Sequence, residues 1–272
     1  MPTFDFANQV IIVTGAARGI GRAITGRFAA SGARVLAVDR DEDGLRATCD
    51  EARGARPLTA DVSAAADVER IVSVAVRELG GLDVCVNNAA VAPHTALLDE
   101  RVDVWDRVYA VNCRGTFLMT QAAARAMIAA GRGGRIINFS SAASLRGGPG
   151  AAAYASSRAA VEAFSRVAAI ELAPHGILVN TVSPGLIDTQ PKPLPPEMAA
   201  RLGQRIPTLP LARPGTADEV ADVVLFLASP ECSYVNGTII HVDGAASVGA
   251  RFDGNVVDDD PRYDWVTRRR SE

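Results

Sequence analysis

The sequence predicts a single-domain α/β fold, a doubly wound sheet of about seven parallel strands with helices on both faces. Three observations carry this expectation. Short β-branched runs recur along the chain, stretches rich in alanine, leucine and arginine separate them, and the first run leads directly into a glycine-rich turn. Strands alternating with helices of this length call for right-handed crossovers, which produce a parallel sheet covered on both sides.

The elements follow in order. QVIIVTG at 9–15 is almost wholly apolar and ends in glycine, the pattern of a strand buried on both faces. Similar runs stand at 33–39, 82–88, 134–141, 177–185 and 237–244, with a weaker candidate, PLTAD, at 57–61. Amphipathic stretches at 19–31, 42–53, 67–79, 103–130, 151–173 and 216–229 read as helices. Residues 184–215 hold eight of the 15 prolines, too many for continuous helix, so this is a long loop with one short helix around 197–205. The domain is expected to span 1–249, with its loop 186–210 shaping a substrate pocket, and 250–272 to form a C-terminal tail that is either disordered or docked on a neighbour.

Composition narrows the function classes. A chain of 272 residues, 48% hydrophobic and 22% charged, can bury one large core. The net charge is -3, and apart from the RRR at 268–270 the arginines are scattered among acids, so a nucleic-acid partner is not expected. The first ten residues carry an acid and no base, and no apolar run approaches about 18 residues, so neither a leader nor a membrane span is expected and the location is read as cytoplasmic. Cys49, Cys85, Cys113 and Cys232 are widely spaced with no metal-ligand pattern, which fits reduced thiols and predicts no metal site.

The cofactor signal is TGAARGIG, from Thr14 to Gly21, between the first strand and the first helix. Gly15 permits the tight turn, Gly19 lets backbone N–H groups approach a pyrophosphate, and Gly21 allows close helix packing; Arg18 and Ile20 lie between them. Asp39, at the end of the second strand, can accept hydrogen bonds from adenosine ribose hydroxyls and would repel a 2'-phosphate, which favours NAD over NADP. Arg18 and Arg40 stand where they would pair with that phosphate if Asp39 turned away.

The catalytic signal lies between Ser141 and Arg158. Tyr154 follows the serine by thirteen positions and Arg158 follows Tyr154 by four, so on a helix the phenol and the cation share a face. A phenol with an ordinary pKa of about 10 serves as an acid or base near neutrality only if its ionised form is stabilised, and a neighbouring cation does this.

The TGxxxGxG spacing and the Ser–Tyr–cation pattern resemble the short-chain dehydrogenase/reductase family, over about residues 5–245. The resemblance implies a Rossmann-type fold and hydride transfer between a nicotinamide and a secondary alcohol or ketone. Tyr154 would be the general acid and base, Ser141 would hold the reacting oxygen, and Asn112 in VNCRG would hold a relay water. Asp61 with Val62 would border the adenine, Asn88 with Ala89 the adenosine ribose, and Pro184, Gly185, Ile187 and Thr189 the carboxamide side. The small faces Ala122, Ala123, Ala126 and Ala159, Ala160, Ala163 would serve assembly into a homodimer or homotetramer.

The chain departs from the family at three places: Ala90 stands for a glycine, VDGA for VDGG, and Arg158 for the active-site lysine. Lys192 is the only lysine among 28 basic residues, so Arg158 fits the chain's general use of arginine, yet a guanidinium does not release its proton as an ammonium can. Lys192 itself is a candidate surrogate ammonium, and His94, Ala143, Leu145 and Pro149 are candidates for the substrate pocket. Three readings remain: an NAD-dependent dehydrogenase, a catalytically impaired dinucleotide-binding protein, and an NADPH-dependent ketoreductase.

Overall fold

The computed structural model describes residues 4–189 and 193–250, so the tail beyond 250 and Lys192 lie outside the described residues. The strands are β1 (Val10–Thr14), β2 (Arg34–Asp39), β3 (Ala55–Thr59), β4 (Val84–Asn87), β5 (Gly134–Phe139), β6 (Ile177–Pro184), the two-residue β7 (Ile187–Asp188) and β8 (Gly215–Thr216), and β9 (Ile239–Val242). The helices are α1 (Gly19–Ala30), α2 (Glu42–Glu51), α3 (Ala65–Glu78), α4 (Val102–Tyr109), α5 (Thr116–Ala130), α6 (Ala152–Leu172), α7 (Pro196–Arg205) and α8 (Ala217–Ala228).

Seven strands form one parallel sheet in the order β3-β2-β1-β4-β5-β6-β9, as the apolar runs predict, while β7 and β8 pair separately. Successive side chains on a strand face opposite sides, which divides the core in two. Ile11, Val13, Val35 and Val84 pack against Ile24 and Phe28 of α1, Leu45 of α2 and Val220 and Val224 of α8. Val10, Ile12, Leu36 and Cys85 pack on the other side against Ile71 of α3, Met119 and Met127 of α5 and Ala168 of α6. Chain order reverses at β1, whose neighbours are β2 and β4, and a crevice opens at the carboxyl ends of these strands.

Three expectations need correction. The weak third strand runs over 55–59, two residues earlier than its sequence signal, because this edge strand is largely solvated and lacks an apolar repeat. The helix expected at 103–130 is interrupted by a π-helical turn, Ala110–Gly115, between α4 and α5. Ala123 faces the core of its own chain, and Ala122 and Ala126 are partly buried beside it, so this part of α5 is not an open small face. On α6 Ala159 and Ala163 are exposed, and Ala160 between them is half-buried. All four cysteines are free thiols, and burial pushes that of Cys85 up to about 12.

Helix α8 starts with a capping box. Thr216 Oγ1 accepts from Glu219 N at 3.2 Å, and Glu219 Oε2 accepts from Thr216 N at 2.8 Å. Hydrogen bonds from Arg213, then from Thr216, hold the exposed Glu219 carboxyl down at about 2, against an ordinary 4.5. A depressed carboxyl contributes stability that is complete above 4.5 and is lost as pH falls towards about 2. The melting-temperature difference between the native chain and Glu219→Gln, followed by circular dichroism against pH, is therefore expected to be full at neutral pH and to shrink through that window.

Candidate active site

The crevice has a volume of about 920 Å³ and runs along the carboxyl edge of the sheet, from Asp39 and Asp61 at one end to Ser141, Tyr154 and Arg158 at the other. Its floor begins at the glycine turn. Gly15 has φ +69°, and a side chain on Gly21 would come within 2.0 Å of Gly15 O, so both positions require glycine. The N-terminus of α1 has neither a side-chain cap nor an acidic residue in its first turn. Its N–H groups and positive dipole end are thus presented to the crevice, which suits a pyrophosphate.

Thr14 and Asn88 fasten this turn. Thr14 Oγ1 accepts from Asn88 N and Ala89 N, both at 3.1 Å, and the Asn88 amide donates to Thr14 O at 3.0 Å and Gly15 O at 3.1 Å. Asp39 is held in turn by three backbone donors: Ala17 N at 3.0 Å, Arg40 N at 2.7 Å and Asp41 N at 3.1 Å. Arg40 and Arg107 both reach Asp61 Oδ2, at 3.2 and 3.3 Å. Arg18 is exposed and makes no ion pair among the described residues. These residues fit a nicotinamide dinucleotide: a helix end for the phosphates, a fixed carboxylate for the ribose, and Ile187 and Thr189 in the lining, with Thr189 close against Gly19.

The reactive end is built by β5 and α6. Ser141 follows β5 in extended backbone and caps a short 3₁₀ turn, Ala142–Ser144, accepting from Ala143 N at 3.2 Å. This contact fixes Oγ and leaves the hydroxyl proton for donation. Tyr154 and Arg158 share a face of α6, with the guanidinium carbon 5.1 Å from the centre of the phenol ring. Arg158 is only 3% exposed, gives one N–H to Phe139 O at 2.8 Å, and has no partner for Nε. Burial pushes the Tyr154 phenol up, but the Arg158 charge and hydrogen bonding with Ser141 and Arg158 outweigh it, so the net shift is downward.

Asn112 is fully buried in the π turn. Its Oδ1 accepts from Val91 N at 2.9 Å, and its amide donates to Val91 O and Ser157 Oγ, both at 3.0 Å. It thus joins the loop after β4 to α6 one turn from Tyr154. Val62, Asn88, Ala89, Pro184 and Gly185 line the crevice, whereas His94, Ala143 and Leu145 lie outside its lining, and His94 is exposed with Nδ1 3.2 Å from Ala92 O. Arg107 escapes sequence reading because its partner, Asp61, lies 46 positions away.

Comparison with known proteins agrees with this geometry. Residues 15–247 match the family described as enoyl-(acyl carrier protein) reductase. The chain is 41% identical to the short-chain reductase protein NovJ of Streptomyces niveus, over 87% of this chain and 93% of that protein. It is 39% identical to a 3-oxoacyl-[acyl-carrier-protein] reductase of Thermotoga maritima, over 87% and 96%. The crystal structure of a short-chain type dehydrogenase/reductase from Mycobacterium marinum superposes with a TM-score of 0.84 at 36% identity, covering 89% of this chain and 97% of that one. No helix among the described residues is long and apolar enough to cross a membrane.

Tyr154 is expected to titrate below the ordinary phenol value of 10.0. The tyrosinate absorbance of the native chain minus that of Tyr154→Phe, recorded against pH, should give the midpoint, and Arg158→Met should move it upward.

Proposed function

We propose, for a chain that belongs to the short-chain dehydrogenase/reductase family, that it is an NAD-dependent oxidoreductase interconverting a secondary alcohol and a ketone, with Tyr154 as general acid and base. The observation that carries this reading is the buried Arg158 charge against the Tyr154 ring, which lowers a phenol that also meets Ser141. When bound, the dinucleotide supplies the carrier of the hydride.

During ketone reduction the Tyr154 hydroxyl gives its proton to the carbonyl oxygen, and during oxidation its phenolate takes that proton back. Ser141, with its Oγ fixed by Ala143 N, directs its own hydroxyl at the same oxygen and stabilises the charge that develops there. Arg158 favours the phenolate by charge. Its guanidinium keeps its proton, so exchange between Tyr154 and solvent bypasses it. Asn112 acts by holding Val91 and Ser157, which keeps the loop after β4 against the helix of Tyr154.

NAD is the proposed cofactor because Asp39 is held in place by three N–H groups and Arg40 is committed to Asp61. The NADPH alternative rests on Arg18, which is exposed and makes no ion pair among the described residues, and on the likeness to a 3-oxoacyl-[acyl-carrier-protein] reductase. The impaired-enzyme alternative rests on Arg158, whose guanidinium spends one N–H on Phe139 O and stacks on the ring. The chain is further proposed to be a cytoplasmic homodimer or homotetramer. An apolar hollow lined by Tyr109, Phe117, Val161 and Phe164 lies on the outer side of α4, α5 and α6, next to the exposed Ala159 and Ala163.

Steady-state oxidation of a panel of secondary alcohols tests the assignment. Tyr154→Phe is expected to lower kcat by about 10²- to 10⁴-fold while NAD still binds. Arg158→Lys is expected to bind NAD as the native chain does and to run the chemical step faster or at lower pH. No turnover in the native chain, together with a gain of about a hundredfold in Arg158→Lys, would overturn the dehydrogenase reading. For the cofactor, the ratio of NADPH to NADH dissociation constants is expected to exceed unity and to fall by roughly tenfold or more in Asp39→Ala, since a repelling carboxylate is removed.

A further inference from the structure

Glu162 is a buried acid, 6% exposed, that the chemistry above does not use. It lies on α6 one turn beyond Arg158 and two beyond Tyr154, so the three share one stripe of the helix. Its Oε1 accepts from Ser140 Oγ at 2.6 Å and from Ser144 Oγ at 2.5 Å. These serines bracket Ser141. Ser140 N donates to Val182 O at 2.8 Å at the end of β5, and Ser144 N closes the following turn onto Ser141 O at 2.9 Å, while the one Ser144 hydroxyl proton is shared between Glu162 Oε1 and Ser141 O, the latter at 2.8 Å. One carboxyl oxygen on the helix of Tyr154 therefore ties down both ends of the segment that carries Ser141. A buried acid with no ion-pair partner among the described residues is costly to keep for packing alone.

We propose that Glu162 is a positioning residue for the reaction, holding Ser140 and Ser144 on α6 so that the Ser141 hydroxyl stays in register with the Tyr154 phenol. This rests on the reading of Ser141 and Tyr154 as the groups that act on the substrate oxygen. Gln at 162 keeps an acceptor oxygen for the two serines, whereas Ala removes it.

The test is a double-mutant cycle. Glu162→Ala is expected to lower kcat about 10- to 100-fold with the NAD dissociation constant within about twofold, and Glu162→Gln to recover most of that loss. In a Ser141→Ala background, Glu162→Ala should cost less than about twofold, since the group it positions is gone. The full loss persisting in that background, or an NAD dissociation constant that rises in step with the loss, would overturn the proposal. Tyrosinate absorbance gives a readout independent of turnover. Ser144→Ala and Ser141→Ala, neither of which changes a charge, should each move the Tyr154 midpoint upward, and the pair no further than Ser141→Ala alone; additive shifts would overturn the proposal. If Glu162→Ala does not fold, Ser144→Ala removes one of the two arms and goes through the same cycle with the same outcomes. A chain without turnover but with coupled titrations would defeat the dehydrogenase reading and leave Glu162 in its role, and turnover with uncoupled titrations would do the reverse.

Discussion

The seam between β1 and β4 is where the chain reverses its direction of travel across the sheet, and a crevice is unavoidable there. What makes the crevice a rigid site is the exchange between Thr14 and Asn88. The Thr14 hydroxyl accepts two backbone N–H groups from the β4 side and donates to Val86 O at 3.2 Å, while the Asn88 amide closes on Thr14 O and Gly15 O. Each such bond is worth about 0.5–1.5 kcal/mol net, and together they hold a turn whose glycines would otherwise carry large backbone entropy. The N-terminus of α1, the Asp39 carboxylate and the path to Ser141 are all placed relative to this seam.

At the far end the governing term is a buried charge. Arg158 is out of water with the Phe139 carbonyl and the Tyr154 side chain as its partners and Nε left over, an incomplete set of contacts for a guanidinium with five N–H donors. Such a cation is better satisfied when a negative charge forms beside it, and the Tyr154 phenol is placed to supply one. The cost of burying Arg158 and the readiness of Tyr154 to ionise are two sides of one free energy.

The sheet and its order of elements were legible because strands buried on both faces, such as VIIVT and RVLAVD, need no alternation to stand out. The edge strand Ala55–Thr59 begins two residues before its sequence signal, since solvent on its faces leaves Arg56 and Pro57 where a core strand would carry valine. In the site, Gly15, Asp39, Ser141, Tyr154 and Arg158 were readable because short spacings fix their relations. The π turn was not. Asn112 finds Val91 and Ser157 at separations of 21 and 45 positions, and nothing local in VNCRG announces those partners. The clasp of Glu162 on Ser140 was hidden for the same reason, being 22 positions long.

The wide turn at Ala110–Gly115 lets one long rod answer to two masters. In an unbroken α-helix each residue advances about 100°, so the direction of Arg107 would dictate those of Met119 and Met127. Widening the turn uncouples them: α4 is aimed by its ion pair with Asp61, and α5 by the apolar underside of the sheet. The cofactor end of the rod and its core end can therefore drift in sequence independently, each phased to its own neighbour.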